Sequence, residues 1–318
     1  MTTYRKKLPQ LGEDIFLTDS GMETDLLFNK GFELPHFASF TLLKDEKGRA
    51  AMREYCLEHA RLAKRYGFGF IFETATWRAS PDWGPKLGYD RAALEAANRD
   101  AIALIEEVRD EAALERPFVI SANVGPRGDG YQAGALMTVQ EAEDYHSFQA
   151  EIFVGTAADI TTALTMNNTP EAIGFVNAAA AAGMPCAVSF TVETDGRLPS
   201  GQPLGEAIME TDFEARKAPA YYMINCAHPT HFTNVLRDSD HWLSRLKGVR
   251  ANASKCSHAE LDEAEALDDG NPGELALENE ALRRLVPSLT IFGGCCGTDL
   301  RHVSAIAQEI SRAKKAAA

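Results

Sequence analysis

The stretch Ile160–Thr191 reads ITTALTMNNTPEAIGFVNAAAAAGMPCAVSFT. It opens with a short β-rich run, Ile160–Leu164, and closes with another, Cys186–Thr191. Between them Pro170–Ala182 is a strong helix former, with Thr169 placed to cap its start, Pro170 suited to the first turn and Gly183 to the C-terminal cap. Strand, helix and strand in about 30 residues is the unit from which parallel sheets are built. The same alternation runs outward in both directions. Ile15–Thr18, Phe68–Phe72, Phe118–Ala122, Ala220–Ile224, Gly248–Ala251 and Leu289–Phe292 read as further strands. Arg91–Glu115, Thr138–Thr156 and Asp299–Ala316 read as helices. Eight such units predict an α/β fold, a (β/α)8 TIM barrel forming one domain over residues 1–318, with an open doubly wound sheet as the alternative. No Gly-x-Gly-x-x-Gly follows the first strand, which argues against a dinucleotide site. The segment Ser254–Gly273 reads as an elaborated loop after the seventh strand.

Composition agrees with a globular chain: 318 residues, 45% hydrophobic and 25% charged. A formal net charge of -14 argues against a nucleic-acid or anionic-membrane surface. The acidic run Glu260–Glu265 with Asp268 and Asp269 reads as a solvated face. No apolar run reaches the roughly 18 residues of a membrane span, and the N-terminus lacks the apolar core of a secretory signal, so a cytoplasmic location is expected. Cysteines at 56, 186, 226, 256, 295 and 296 are too sparse for a disulfide scaffold. Oligomeric state carries no motif; the outer helices of a barrel are able to serve as faces of a homo-oligomer.

Ile291-Phe292-Gly293-Gly294-Cys295-Cys296-Gly297-Thr298 sets two adjacent cysteines in a run of glycines. Glycine permits the backbone angles that would let neighbouring sulfurs converge on one soft metal ion, zinc above all. The alternative is a buried turn with two packed thiols. In a barrel the chemistry sits after the C-terminal ends of the strands. That rim collects Asp19-Ser20-Gly21, Glu73-Thr74, Asn123, Glu193-Thr194, Asn225-Cys226, Asn252 and Cys295-Cys296. Cys226 therefore joins the pair, whereas Cys56 lies in a helix and Cys186 at the opposite end of a strand. Three thiolates with one open position are the ligand set of a catalytic zinc; Cys256 as a fourth would make a closed structural site. An electron-rich three-thiolate Zn2+ is suited to binding a substrate thiol, lowering its pKa from about 8.5 and leaving the sulfur nucleophilic toward carbon.

These motifs resemble the zinc-dependent homocysteine S-methyltransferases. Asn225-Cys226 and Gly293–Thr298 are similar to the family's two zinc motifs, in order. Leu17–Met22, Thr74–Trp77, Val124–Asp129 and Gly196–Gly201 resemble other family segments. The resemblance implies a barrel, a Zn2+ held by Cys226, Cys295 and Cys296, and methyl transfer to the thiol of homocysteine, giving methionine. No catalytic residue beyond the activated substrate thiol is implied. Asp19 and the backbone of Ser20 and Gly21 would hold the amino-acid end of the acceptor; the alternative for Asp19 is a turn carboxylate capping a helix. Trp77 would wall the pocket beside a cationic donor or serve as a packed rim aromatic. Thr74, Asn123, Glu193 and Asn225 complete the expected substrate contacts.

Two departures stand out. Leu164 occupies the position where the family carries a Glu that contacts the acceptor's amino group. A Leu accepts no hydrogen bond, so either Glu193 compensates or the acceptor is another small thiol or selenol. Asp299 follows Thr298 where Thr-Pro is usual, altering only the start of the last helix. The chain is too short for added folate and cobalamin modules and lacks the longer C-terminal extension of betaine-using relatives. A sulfonium donor, S-methylmethionine or S-adenosylmethionine, is therefore expected ahead of a betaine-like one. A rival of another class is a non-catalytic zinc-dependent thiol-binding protein.

Overall fold

The computed structural model describes residues 2–237, 241–264 and 266–317, so Glu265 of the acidic run lies outside the described residues. Eight parallel strands close on themselves in sequence order: β1 (Phe16–Thr18), β2 (Gly69–Glu73), β3 (Phe118–Val124), β4 (Ile160–Met166), β5 (Cys186–Phe190), β6 (Tyr221–Asn225), β7 (Leu246–Ala251) and β8 (Ile291–Gly294). Closure is made where Phe16 and Leu17 pair with Ile291 and Phe292. Helices follow them in turn: α1 (Glu46–Tyr66), α2 (Arg91–Ala112), α3 (Val139–Val154), α4 (Thr169–Ala182), α5 (Leu204–Glu214), α6 (Pro229–Arg237), α7 (Pro272–Leu285) and α8 (Leu300–Ala317). The fold is a single-domain (β/α)8 barrel, as the alternation predicts.

Strand residues alternate between two apolar layers because side chains on a strand point to opposite faces. Phe16, Ile71, Val119, Ile160, Ala187, Tyr221, Met223 and Ile291 fill the barrel interior, closed from the N-terminal side by Leu8. Leu17, Phe70, Phe72, Ile120, Val188, Ile224 and Phe292 face outward against the helices. Leu8 arrives there because the N-terminal segment is tied down: the backbone N–H groups of Thr3 and Tyr4 donate to Asp159 at 2.9 and 2.7 Å. The bottom of the barrel is thereby plugged, and the opposite rim is left for chemistry.

The helix that anchors the sequence reading is capped one residue earlier than expected. Asn168, not Thr169, is the N-cap; its Oδ1 accepts from the Glu171 N–H at 2.9 Å, and Thr169 is the first helical residue. The side chain of Thr169 turns instead to Gln202. Gly183 ends the helix at φ 76, the left-handed conformation a C-terminal cap needs. Thr138 and Glu141 form a reciprocal capping box at the start of α3. Asp299 accepts from the Arg301 N–H at 2.8 Å and so starts α8 without a proline. The loop between β7 and α7 carries a short helix, His258–Asp262, and folds over the rim. No described helix is long and apolar enough to cross a membrane.

Candidate active site

Cys226 leaves β6 at φ 54, a left-handed conformation uncommon for a residue with a side chain and held here by its surroundings. Its N–H donates to the Arg250 carbonyl (3.2 Å), and its own carbonyl accepts from His258 Nε2 (2.6 Å). Cys295 leaves β8 with its N–H on the Ala251 carbonyl (2.8 Å), and the Cys296 carbonyl accepts from Ala253 (3.1 Å). The three sulfurs then lie within 4.8 Å of one another, the one such cluster of potential metal ligands among the described residues. Cys226 and Cys296 sulfurs are 3.8 Å apart. Two sulfurs each about 2.3 Å from a tetrahedral ion stand about 3.8 Å apart, so this spacing fits Zn2+. Cys226 and Cys295 sulfurs are closer still, in disulfide contact with Cα atoms 5.4 Å apart. Thiols held close enough to share a metal are also close enough to join, and metal binding needs them reduced. Cys256 is exposed and outside the cluster, while Cys56 is buried on α1 and Cys186 begins β5.

The glycines serve a different purpose from the one expected. Gly293 and Gly294 do not adopt positive φ; a Cβ on them would run into Thr18 Oγ1 and Thr298 Oγ1 respectively. Only Gly297 of this turn is left-handed, at φ 78. Close approach to β1 and to the next turn, rather than backbone freedom, is what admits only glycine at 293 and 294.

A cavity of about 490 Å3 opens above the sulfurs, lined by the rim of β1 to β4, β6 to β8 and by the loop after β7. Burial pushes the Cys296 thiol up, and the Tyr131 hydroxyl, 3.3 Å from its sulfur, opposes this by donating to it. Tyr131 in turn stacks on His258 (centroids 4.0 Å apart, 12° between planes).

Asp19 lies in the cavity wall but is not unpaired. Arg250, pointing inward from β7, places Nη1 2.7 Å from Asp19 Oδ1, Nη2 3.1 Å from the Ser20 carbonyl and Nε 3.2 Å from the Gly294 carbonyl. Both side chains are almost inaccessible, at 1% and 5%. Burial works against the charge of Arg250, but Asp19 and then Glu73 outweigh it and hold its pKa above the ordinary value. The N–H groups of Ser20 and Gly21, expected to cradle a carboxylate, are already committed. Ser20 donates to Tyr55 Oη (3.2 Å) and Gly21 to Thr298 (3.1 Å to Oγ1).

The other expected contacts divide. Thr74 and Asn123 line the cavity, and Asn123 Oδ1 has no partner. Trp77 lines it too, fixed by its Nε1 on the Leu164 carbonyl (3.3 Å); the cation over its ring is the protein's own Arg78, 4.1 Å away. Asn225 lines the cavity while its amide is spent on Thr165, Ser189 and the Cys295 sulfur, so it positions the motif. Glu193 is not part of the wall; it lies 3.0 Å from His258 Nδ1 and supports the ring that holds the Cys226 carbonyl. This placement gives no support to the expectation that it compensates for Leu164, whose side chain joins the apolar barrel interior and lines the cavity.

Sequence reasoning missed Arg250, Arg78, Tyr131 and His258, and named Glu73 only as a strand end. The signal for Arg250 was a lone charge inside the apolar strand Gly248–Ala251. Glu73 is fully buried with neither oxygen partnered, and burial raises its pKa to about 8 against the pull of Arg250.

The homocysteine S-methyltransferase family matches residues 16–310. No curated protein matches the sequence. Among solved structures the chain is similar to the homocysteine methyltransferase MmuM from Escherichia coli. Its oxidized form is 19% identical with a TM-score of 0.71, covering 95% of this chain and 97% of that one. Its metallated form is 17% identical with a TM-score of 0.69, covering 95% and 98%. That likeness carries the barrel, and the family match spans nearly all of it: this chain belongs to the homocysteine S-methyltransferase family.

Proposed function

We propose that this methyltransferase moves a methyl group from a small cationic donor, a sulfonium ahead of an ammonium, to the sulfur of homocysteine, giving methionine. Convergence of Cys226, Cys295 and Cys296 at the floor of one cavity carries the reading. These three cysteines would hold Zn2+, leaving its fourth position for the acceptor. When bound, the ion supplies the Lewis acidity that keeps a thiol ionised and nucleophilic near neutral pH. The protein's own groups do the rest. Tyr131 donates to the Cys296 sulfur, His258 and Asn225 fix the turns that carry the ligands, and Arg250 locks Asp19 in place. Transfer between two sulfurs needs little help for the leaving group, so alignment of sulfur, methyl and leaving group is the main contribution.

The charge of the wall supports a cationic donor. Asp19, Glu23, Asp129, Asp262 and Asp268 outnumber Arg78 and Arg250, and a sulfonium loses its charge as it reacts. Phe28, Phe37, Leu261 and Leu267 give the mouth an apolar surface that suits the donor's methyl groups. Leu164, together with the neutralisation of Asp19 by Arg250, favours a second reading in which the acceptor is a different small thiol or selenol. The reaction would belong to methionine biosynthesis in the cytoplasm, a reading that the ordinary globular composition supports. Incubation of the reduced, zinc-loaded protein with unlabelled S-methylmethionine and a panel of thiols labelled in their carbon skeletons tests both readings. Label in methionine supports the first, label in another thioether the second, and no transfer to any thiol removes both.

A further inference from the structure

Among the described residues two cations line the cavity, and they differ in their partners. Each guanidinium nitrogen of Arg250 donates a hydrogen bond, to Asp19, Ser20 or Gly294. Arg78 differs. It is 8% exposed and lines the cavity, yet no carboxylate among the described residues lies within 4.0 Å of it. Nη1 donates to the Gly128 carbonyl at 2.7 Å, and Nε has no partner. The guanidinium lies between two indoles, 4.1 Å from the Trp77 ring centroid and 4.0 Å from that of Trp83. Stacking of this kind holds the plane rigid while leaving its edge for hydrogen bonding. Burial lowers the pKa of Arg78 only to about 10, so the group stays charged at neutral pH.

An amino-acid substrate brings a carboxylate that must be met, since a buried, unpaired carboxylate is costly. The backbone donors of Ser20 and Gly21 are committed, as is Arg250. We propose that Arg78, clamped between Trp77 and Trp83, is the binding site for the carboxylate of an amino-acid substrate. The fork of a guanidinium matches a carboxylate in two parallel hydrogen bonds, which Lys reproduces poorly. The inference rests on the reading that both substrates are small amino acids, and its test is a binding measurement that needs no turnover.

Calorimetric titration of reduced, zinc-loaded protein with S-methylmethionine and its decarboxylated analogue forms one arm. Homocysteine and its decarboxylated analogue form the other. In one arm, wild type is expected to lose on the order of 10- to 100-fold in affinity when the carboxylate is removed. That arm identifies the substrate held. In Arg78→Gln the penalty should shrink to within about twofold, with Arg78→Lys intermediate and zinc content unchanged. A carboxylate penalty as large in Arg78→Gln as in wild type, or none in either arm of wild type, would overturn the assignment. Methyl transfer without this pattern sinks the inference alone; the pattern without methyl transfer sinks the proposed function alone.

Discussion

Replacing Arg250 with Met leaves Asp19 as a buried carboxylate with no counter-charge, since the pair is 1% and 5% accessible and 2.7 Å apart. Removing one member of a buried ion pair costs about 3–5 kcal/mol. The same side chain bridges the carbonyls of Ser20 and Gly294 across the β8–β1 closure, so its loss also unties the turn that carries Cys295. Unfolding entropy near 2.1 cal/mol/K per residue implies that each kcal/mol moves Tm by about 1.5 °C in a chain of this size. Arg250→Met is therefore expected to lower Tm by roughly 4–8 °C. The double variant Asp19→Asn, Arg250→Met removes the stranded charge and should recover at least half of that loss. Scanning calorimetry of wild type, both single variants and the double variant, all as reduced protein, reads the cycle. A fall below about 1 °C for Arg250→Met, or strict additivity in the double variant, would refute the pairing as the reason for this buried arginine.

Three further outcomes follow from the same contacts. Glu73 has a folded pKa of about 8 against an ordinary 4.5, so the folded state holds a proton that the unfolded state releases between those values. Wild type should thus lose stability relative to Glu73→Gln as pH rises from about 4.5 to about 8, with no further change above; a Tm difference flat across that range counts against it. Asn168→Ala removes the cap of α4 and should cost about 1 kcal/mol in urea unfolding, whereas Thr169→Ala should cost less. Tyr131→Phe deletes the hydrogen bond to the Cys296 sulfur and should weaken zinc on the order of 10-fold in chelator competition; unchanged affinity would show the contact to be idle.

The barrel was legible because each strand is a short β-rich apolar run and helical stretches such as Arg91–Glu115, Thr138–Thr156 and Pro170–Ala182 stand between them. Strand ends moved by up to two residues, and the cap of α4 by one, since Asn168 and Thr169 are both good caps and only the tertiary placement of Gln202 decides between them. The sulfur cluster was legible for a topological reason: once strands are assigned, the rim they end on is fixed, and Cys226 must meet Cys295 and Cys296 there. Pairing across the site was not. Asp19 and Arg250 are 231 residues apart, and no local pattern shows that one neutralises the other. Glu193 shares the rim with the cavity residues yet serves His258, because side-chain direction at a strand end depends on the loop that follows. The commitment of the Ser20 and Gly21 N–H groups likewise comes from distant partners, Tyr55 and Thr298.

The central claim is that three cysteines, and not four, form one metal site. Zinc analysis of reduced wild type, Cys226→Ala and Cys256→Ala tests it directly. The account predicts about one zinc per chain in wild type and in Cys256→Ala, and its loss in Cys226→Ala. Zinc retained in Cys226→Ala, or lost in Cys256→Ala, would contradict it.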